Sequence, residues 1–398
     1  MSYIKDNLRQ YGLIVALVVI ALFFQIMTNG VIFRPANITN LILQNSYILV
    51  LAIGMMMVII SFGRVDLSVG SIAALAGAMS GIFIVRMDLP VWLSIIFVLV
   101  IGAACGAWHG FWIAYRNIPF FVVTLAGMML FRGVAMIVLD GTNIGPFPSS
   151  FQMMAAGFVP DIFGGTSFNI MAVVICAAIA LAVILLEFRK RAISRKNKVD
   201  AIPLPFFIAK IVLVVATLGL FAYWFGASNG IPNIMVLLGI LAVIYSYIAN
   251  KTIMGRHLYA AGGNPKTSEL SGIDVKKVVF WVYVNMGVLA ALAGMVFTAR
   301  LNLAMPRAGM GFELQAIAAA FIGGASATGG FGKISGALVG AMVVGIINNG
   351  MSILGVSVNM QQIITGLVLL AAVIFDVFAK SRAEKPPSLE SSALSQGE

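Results

Sequence analysis

Charged side chains stranded in apolar sequence are the first places to look for chemistry. In SFGRVDLSVGS (61–71), Arg64 and Asp66 sit between two apolar runs. A charge at the centre of a bilayer costs about 2.5–3.5 kcal/mol on insertion scales, so such residues are seldom idle. The bland account is capping: Asp66 or Ser68 accepts hydrogen bonds at the start of the following helix, and the carboxylate matches the helix dipole. The functional account places Asp66, Ser68 and Ser71 on a polar pathway. Both hold together where irregular backbone lines a cavity. Thr124, Asn285, Glu313, Gln315, Ser326, Thr328 and the pair Asn348-Asn349 are further polar groups in or beside apolar runs, and join the candidate pathway. The alternative for each is an interhelical hydrogen bond, worth about 0.6 kcal/mol on average. Arg132 lies well inside an apolar run, where it would snorkel outward or pair with an acid such as Asp140. His109, between Trp108 and Trp112, reads as a packing or interface histidine rather than a ligand.

Catalysis finds no constellation in this sequence. There is no Ser/His/Asp or Cys/His arrangement and no paired carboxylates. Cys105 and Cys176 lie in apolar runs and His257 is remote from His109, so no disulfide framework or metal-ligand spacing is present. GGASATGGFGKISG (323–336) resembles a phosphate loop only in its glycines. A Walker A loop needs Gly six residues before the Lys and Ser or Thr after it. Those positions hold Ala327 and Ile334. No ATP site, no cofactor and no enzymatic activity are expected.

The elements that must carry these residues are membrane helices. The chain of 398 residues is 61% hydrophobic and 10% charged, with mean hydropathy +1.03. A soluble domain carries about 25% charge. With about 20 apolar residues needed per span, the expected fold is an all-α polytopic membrane protein of about twelve segments. They are 11–28, 45–62, 68–85, 90–113, 119–138, 170–187, 206–226, 231–249, 277–298, 313–327, 334–352 and 359–378. The Gly- and Ser-rich run 68–85 and the short run 313–327 are expected to be broken or re-entrant. The first segment reads as an uncleaved helix, since Phe23, Phe24 and Met27 crowd the place of a cleavage site.

A cytoplasmic N-terminus places Lys5, Arg9, Arg64, Arg116, the cluster 189–198, the 250–277 stretch, Lys333 and the tail on the inside. Only Arg34, Arg86, Arg300 and Arg307 fall outside. That bias fixes the orientation, with both termini cytoplasmic. It also accounts for the net charge of +11 through membrane lipid, the anionic inner leaflet, rather than nucleic acid. The permease domain then covers 1–380, and 381–398 is a polar tail expected to be disordered. The long outside loop 139–169 is expected to fold back over the membrane face.

One cytoplasmic stretch, GRHLYAAGGNPKTSELSGIDVKK (255–277), is too polar to span. Asn264 suits an N-cap, Pro265 the first helical position and Gly272 the left-handed residue after a helix. Together they predict a helix near 265–271. Helices under roughly 12 residues are marginal alone in water, so this one must rest against something.

DLSVGS (66–71), VTLAGMMLFRG (123–133), GRHLYAAGGNPKTSELSGIDV (255–275), ELQAIAAAFIGGASATGGFG (313–332) and NNGMSILGV (348–356) occur in this order. The pattern resembles the permease subunits of ribose, xylose, galactose and arabinose ABC importers, and is most similar to xylose-type or multiple-monosaccharide permeases. The resemblance implies a passive gate. An ABC ATPase subunit would dock on the coupling segment 255–277 through Gly255, Arg256, Gly262, Gly263, Asn264, Pro265, Glu269, Leu270 and Gly272. A periplasmic sugar-binding protein would deliver a monosaccharide, with Arg34, Arg300 and Arg307 as docking residues. A second permease subunit would complete a homodimer in the bacterial inner membrane. The stretch 168–228 departs from the simplest members as a two-span insertion. The alternatives are an ABC permease for a branched-chain amino acid, an autoinducer-type sugar or a nucleoside, a secondary transporter and, least favoured, an intramembrane enzyme.

Overall fold

Helix punctuation in the sequence sets most of the architecture. Pro35, Pro119 and Pro232 each stand at or just before a helix start, where the missing N–H is an orphan anyway. The computed structural model describes residues 2–165, 168–196 and 203–383, which are helical apart from loops and two isolated β-bridges. The first five helices are α1 (Ser2–Met27), α2 (Pro35–Phe62), α3 (Val69–Ser80), α4 (Val91–Gly110) and α5 (Phe120–Leu139). A single helical turn, α6 (Ser149–Gln152), precedes α7 (Ile170–Lys196), α8 (Leu204–Gly226) and α9 (Asn233–Lys251). Then come α10 (Ile253–Gly263), α11 (Pro265–Leu270), α12 (Val275–Leu301), α13 (Phe312–Ile322), α14 (Ile334–Ile353) and α15 (Val358–Ala383). π-helical turns, Gly81–Arg86 and Phe111–Tyr115, continue α3 and α4.

Nine of the described helices are long and apolar enough to cross a membrane. Three shorter apolar helices accompany them, at Gly12–Met27, Phe312–Ile322 and Val358–Ala371. Two boundaries differ from expectation. Helix α2 starts at Pro35 instead of 45, because its polar first turns are stabilised inside the protein: Thr39, Asn45 and Ser46 are buried. The run 68–85 is not broken. It is one continuous helix through Arg86, and the irregular backbone lies before it, at 63–68. Helix α13 is short as expected; eleven residues rise only about 16 Å, too little for a core of about 30 Å. Helix α15 runs to Ala383, and the rest of the expected tail, residues 384–398, lies outside the described residues.

Helix α2 is the axis. Its apolar window is 89% buried, against 6% for α8. Around it pack α12, α14, α13, α10 and α9, and α12 also packs on α4 and α3. Close approach there depends on glycines four apart on α4, at Gly102, Gly106 and Gly110. Cβ atoms on them would meet α12 backbone at Gly287, Tyr283 and Phe280. Small residues at this spacing let membrane helices touch along their backbones. Helices α7 and α8 form a peripheral hairpin joined by Lys210 to Glu187 at 2.7 Å; α8 leans on α2, and its Trp224 stacks on Phe33 in the loop just before α2. The loop after α5 does lie back on the bundle, where Ile144 bridges Ala304 and Phe158 bridges Pro232.

Candidate translocation cavity and coupling segment

Between α2, α12, α13, α14 and α15 lies a cavity of about 570 Å³, inside the roughly 300–1,000 Å³ range of small-molecule sites. Seven carboxamides line it: Gln44, Asn45, Gln315, Asn348, Asn349, Gln361 and Gln362. Each offers both a donor and an acceptor. One wall is aromatic. Tyr47 stacks on Phe312 at 4.0 Å between centroids, and Phe297 meets both rings edge-on. The Tyr47 hydroxyl donates to Gln315 Oε1 at 3.1 Å. Asn349 is held in place by a reciprocal amide pair with Asn37, at 3.0 and 3.3 Å. Gln361 donates to the Val356 carbonyl at 2.8 Å. Arg300 and Glu313 are the charged groups of the lining.

Of the residues singled out from sequence as pathway candidates, Glu313, Gln315, Asn348 and Asn349 line this cavity. The others lie apart from it. Asp66 is fully buried in the 63–68 turn, and its Oδ1 accepts from the Ser68 N–H and hydroxyl at 2.8 and 2.6 Å. Ser68 occupies the cap position of α3 without a side-chain cap bond, so the turn is braced by Asp66. Ser71 and Thr124 are buried in the packing of α3 and α5. Asn285 accepts from the Tyr245 hydroxyl. The Ser326 and Thr328 hydroxyls bond each other at 2.8 Å in the loop before α14. Arg132 donates to the Ala308 carbonyl at 2.5 Å, pinning the 302–311 segment, and the acid within electrostatic reach of its guanidinium is Glu313. Arg300 lines the cavity, whereas Arg34 and Arg307 are exposed. Sequence reasoning missed Gln44, Asn45, Gln361 and Gln362. Their signal was carboxamides recurring at one end of several apolar runs.

The polar stretch after α9 folds as two helices. Asn264 Oδ1 accepts from the Thr267 N–H at 3.0 Å, Pro265 is the first residue of α11, and Gly272 follows at φ +83°. That is the helix expected near 265–271. Leu270 is 84% exposed at its tip, with Arg256 and Glu269 also exposed. Helix α10, unforeseen, is capped by Thr252 Oγ accepting from the Gly255 N–H at 3.2 Å. Gly255 presses on the carbonyls of Ile248 and Ala249. Gly262 presses on Ile60, at the end of α2, and on Gly330. The Gly330 N–H donates to the Ile60 carbonyl at 2.8 Å, and the Tyr259 hydroxyl donates to the Gly332 carbonyl at 2.7 Å. Gly263 faces open space. Asp274 caps α12 by accepting from the Lys277 N–H at 3.0 Å, and that bond, with the Lys277 ammonium, holds its carboxyl below the usual range.

Tyr47 and Ile60 are thirteen residues apart on α2, about 20 Å of helix rise. The cavity and the α10–α11 contact therefore occupy opposite halves of one buried helix. The chain belongs to the family described as the permease component of branched-chain amino acid transport systems, whose pattern it matches over residues 37–373. It is 38% identical to the xylose transport system permease protein of Haemophilus influenzae, covering 94% of this chain and 98% of that protein. The Escherichia coli xylose permease is 36% identical over 95% of this chain and 94% of its own length. The Escherichia coli ribose import permease is 34% identical over 93% and 94%. No solved structure matches the chain.

Proposed function

We propose that the chain is the membrane-spanning permease of an ATP-driven sugar importer. The observation that carries this reading is the cavity lined by seven carboxamides and an aromatic wall. Neutral groups that donate and accept suit a substrate that is itself a ring of hydroxyls, and the apolar faces suit its C–H surface. The xylose and ribose permeases among its relatives support the same class. The long apolar helices cross the bacterial inner membrane, and both termini lie inside. The α7–α8 hairpin is the insertion that returns the chain to the same side.

A separate ATPase engages α10–α11, where Leu270 and Glu269 protrude. A sugar-loaded binding protein docks on the other face near Arg34 and Arg307. A second copy covers the cavity between α13 and α15, where Met310, Leu314 and Gln362 are exposed; carboxamides facing lipid there would be costly. Coupling requires that the ATPase bind its two states with different contacts at α10–α11.

The test is reconstitution in liposomes with the cognate ATPase and binding protein, and uptake of labelled pentoses and hexoses. A branched-chain amino acid is the second reading, favoured by the family description and by Arg300 and Glu313, which could meet a zwitterion. Leucine uptake without sugar uptake would overturn the proposal, as would sugar uptake without the ATPase. Orientation has its own check. A cysteine placed at Ser194 is expected to react with an impermeant thiol reagent only from the cytoplasmic side, since it lies within the basic cluster 189–198.

A further inference from the structure

Asp66 and His109 are 43 residues apart in sequence, yet the fold sets Asp66 Oδ2 4.0 Å from His109 Nδ1, with both side chains fully buried. That separation is too long for a hydrogen bond. Asp66 Oδ2, both His109 nitrogens and the Tyr283 hydroxyl have no hydrogen-bond partner among the described residues. The His109 and Tyr283 rings lie 6.3 Å apart. Phe131 packs edge-on to the imidazole, and a Cβ on Gly127 of α5 would strike it, so the ring is seated in a fitted slot. Buried polar groups in native proteins are almost always satisfied, by protein or by ordered water. Four unsatisfied atoms on three neighbouring side chains are not a packing accident.

We propose that Asp66, His109 and Tyr283 form a hydrated, proton-binding latch at the helix break. Ordered water bridges Asp66 Oδ2 to His109 Nδ1 while the imidazole is neutral. When the pH falls, a proton from solvent is taken up at Nδ1, the pair changes from net charge −1 to zero, and a direct ion pair draws the 63–68 turn onto α4. The remaining titratable groups facing the pair are Cys105 of α4 and Arg64 of the turn, whose guanidinium lies over the Phe62 ring at 4.6 Å. Helix α5 contributes Gly127 and Phe131, which do not titrate. The turn joins the cavity-lining α2 to α3, so its attachment to α4 bears on whether α2 can tilt. The latch goes beyond the sugar reading and does not depend on it.

The chain has two histidines, His109 and His257, so nitrogen NMR of the full-length chain, ¹⁵N-labelled at histidine and held in lipid nanodiscs, resolves each; His257→Gln assigns them. The His109 signals are expected to shift with pH in a single titration step. Asp66→Asn should move that midpoint to lower pH by about one unit or more, because an opposite charge at this distance favours the imidazolium. Should Asp66→Asn not fold, Asp66→Glu, which displaces the carboxylate, should still shift the midpoint. A His109 that does not titrate, or a midpoint unmoved by either change, overturns the proposal. In the reconstituted transporter, wild-type uptake should fall on the acid side of that midpoint, and His109→Gln should lose this limb. An identical pH profile in the two proteins overturns the latch.

Discussion

Gly262→Val is expected to lower the stability of the permease by about 2–4 kcal/mol, the combined range for overpacking and a lost hydrogen bond, and to uncouple it. A Cβ at this position would come within 2.7 Å of the Gly330 nitrogen and within 3.0 Å of the Ile60 carbonyl carbon. Both are backbone, so neither can swing aside as a flexible side chain would. The intrusion falls on the 2.8 Å hydrogen bond from Gly330 to Ile60, which ties the loop before α14 to the end of α2. Helix α10 must therefore back away from α2, and the motion of α11 no longer reaches the helix that lines the cavity. In the reconstituted importer, ATP-driven uptake should fall about tenfold or more, the effect of losing differential contacts worth about 1.4 kcal/mol. Thermal unfolding in detergent gives the stability. The neighbouring Gly263→Ala is the internal comparison: its added Cβ meets nothing within 4 Å, and its unfolding temperature should match the wild type. Wild-type uptake by Gly262→Val would show that α10 does not transmit through this contact.

The contrast between these two glycines shows what the sequence could and could not reveal. Helix α11 was legible because Asn264, Pro265 and Gly272 each carry a local stereochemical message, and all three agree. Helix α10 was not, since GRHLYAAGG contains three glycines and its helicity is supported by contacts with α9, α2 and the 323–333 loop. Hydropathy located the apolar runs because each is a local composition. It placed the start of α2 ten residues late, since Asn37 and Gln44 look like loop until an amide pair with Asn349 and the cavity account for them. Asp66 was flagged for its charge and His109 was set aside as packing. Their proximity is a product of the α3–α4 contact, which no local pattern encodes. Position on a helix was readable, but proximity between helices was not.

Attaching a bulky anionic group inside the cavity is expected to stop transport, and Thr365 is the place to attach it. Its side chain lines the cavity from α15, and its hydroxyl donates to the Gln361 carbonyl one turn back, at 2.8 Å. Thr365→Cys removes that bond and a methyl group while keeping a small side chain, so uptake before modification should stay within about threefold of wild type, the value of one modest hydrogen bond. Cys105 and Cys176 are both free but buried, so the unsubstituted chain should react little with a charged reagent and serve as the background. A sulfonate-bearing methanethiosulfonate added from the binding-protein side should modify the introduced thiol and reduce uptake to about a tenth or less. The added group would occupy part of a cavity of about 570 Å³ and leave a fixed charge among neutral carboxamides. Protection by sugar-loaded binding protein would place the substrate in the same space. Complete modification with unchanged uptake would mean that the sugar passes elsewhere. Failure to react from either side would mean that the cavity is closed to water throughout the cycle. The first outcome would move the pathway away from α15, and the second would remove the cavity from it altogether.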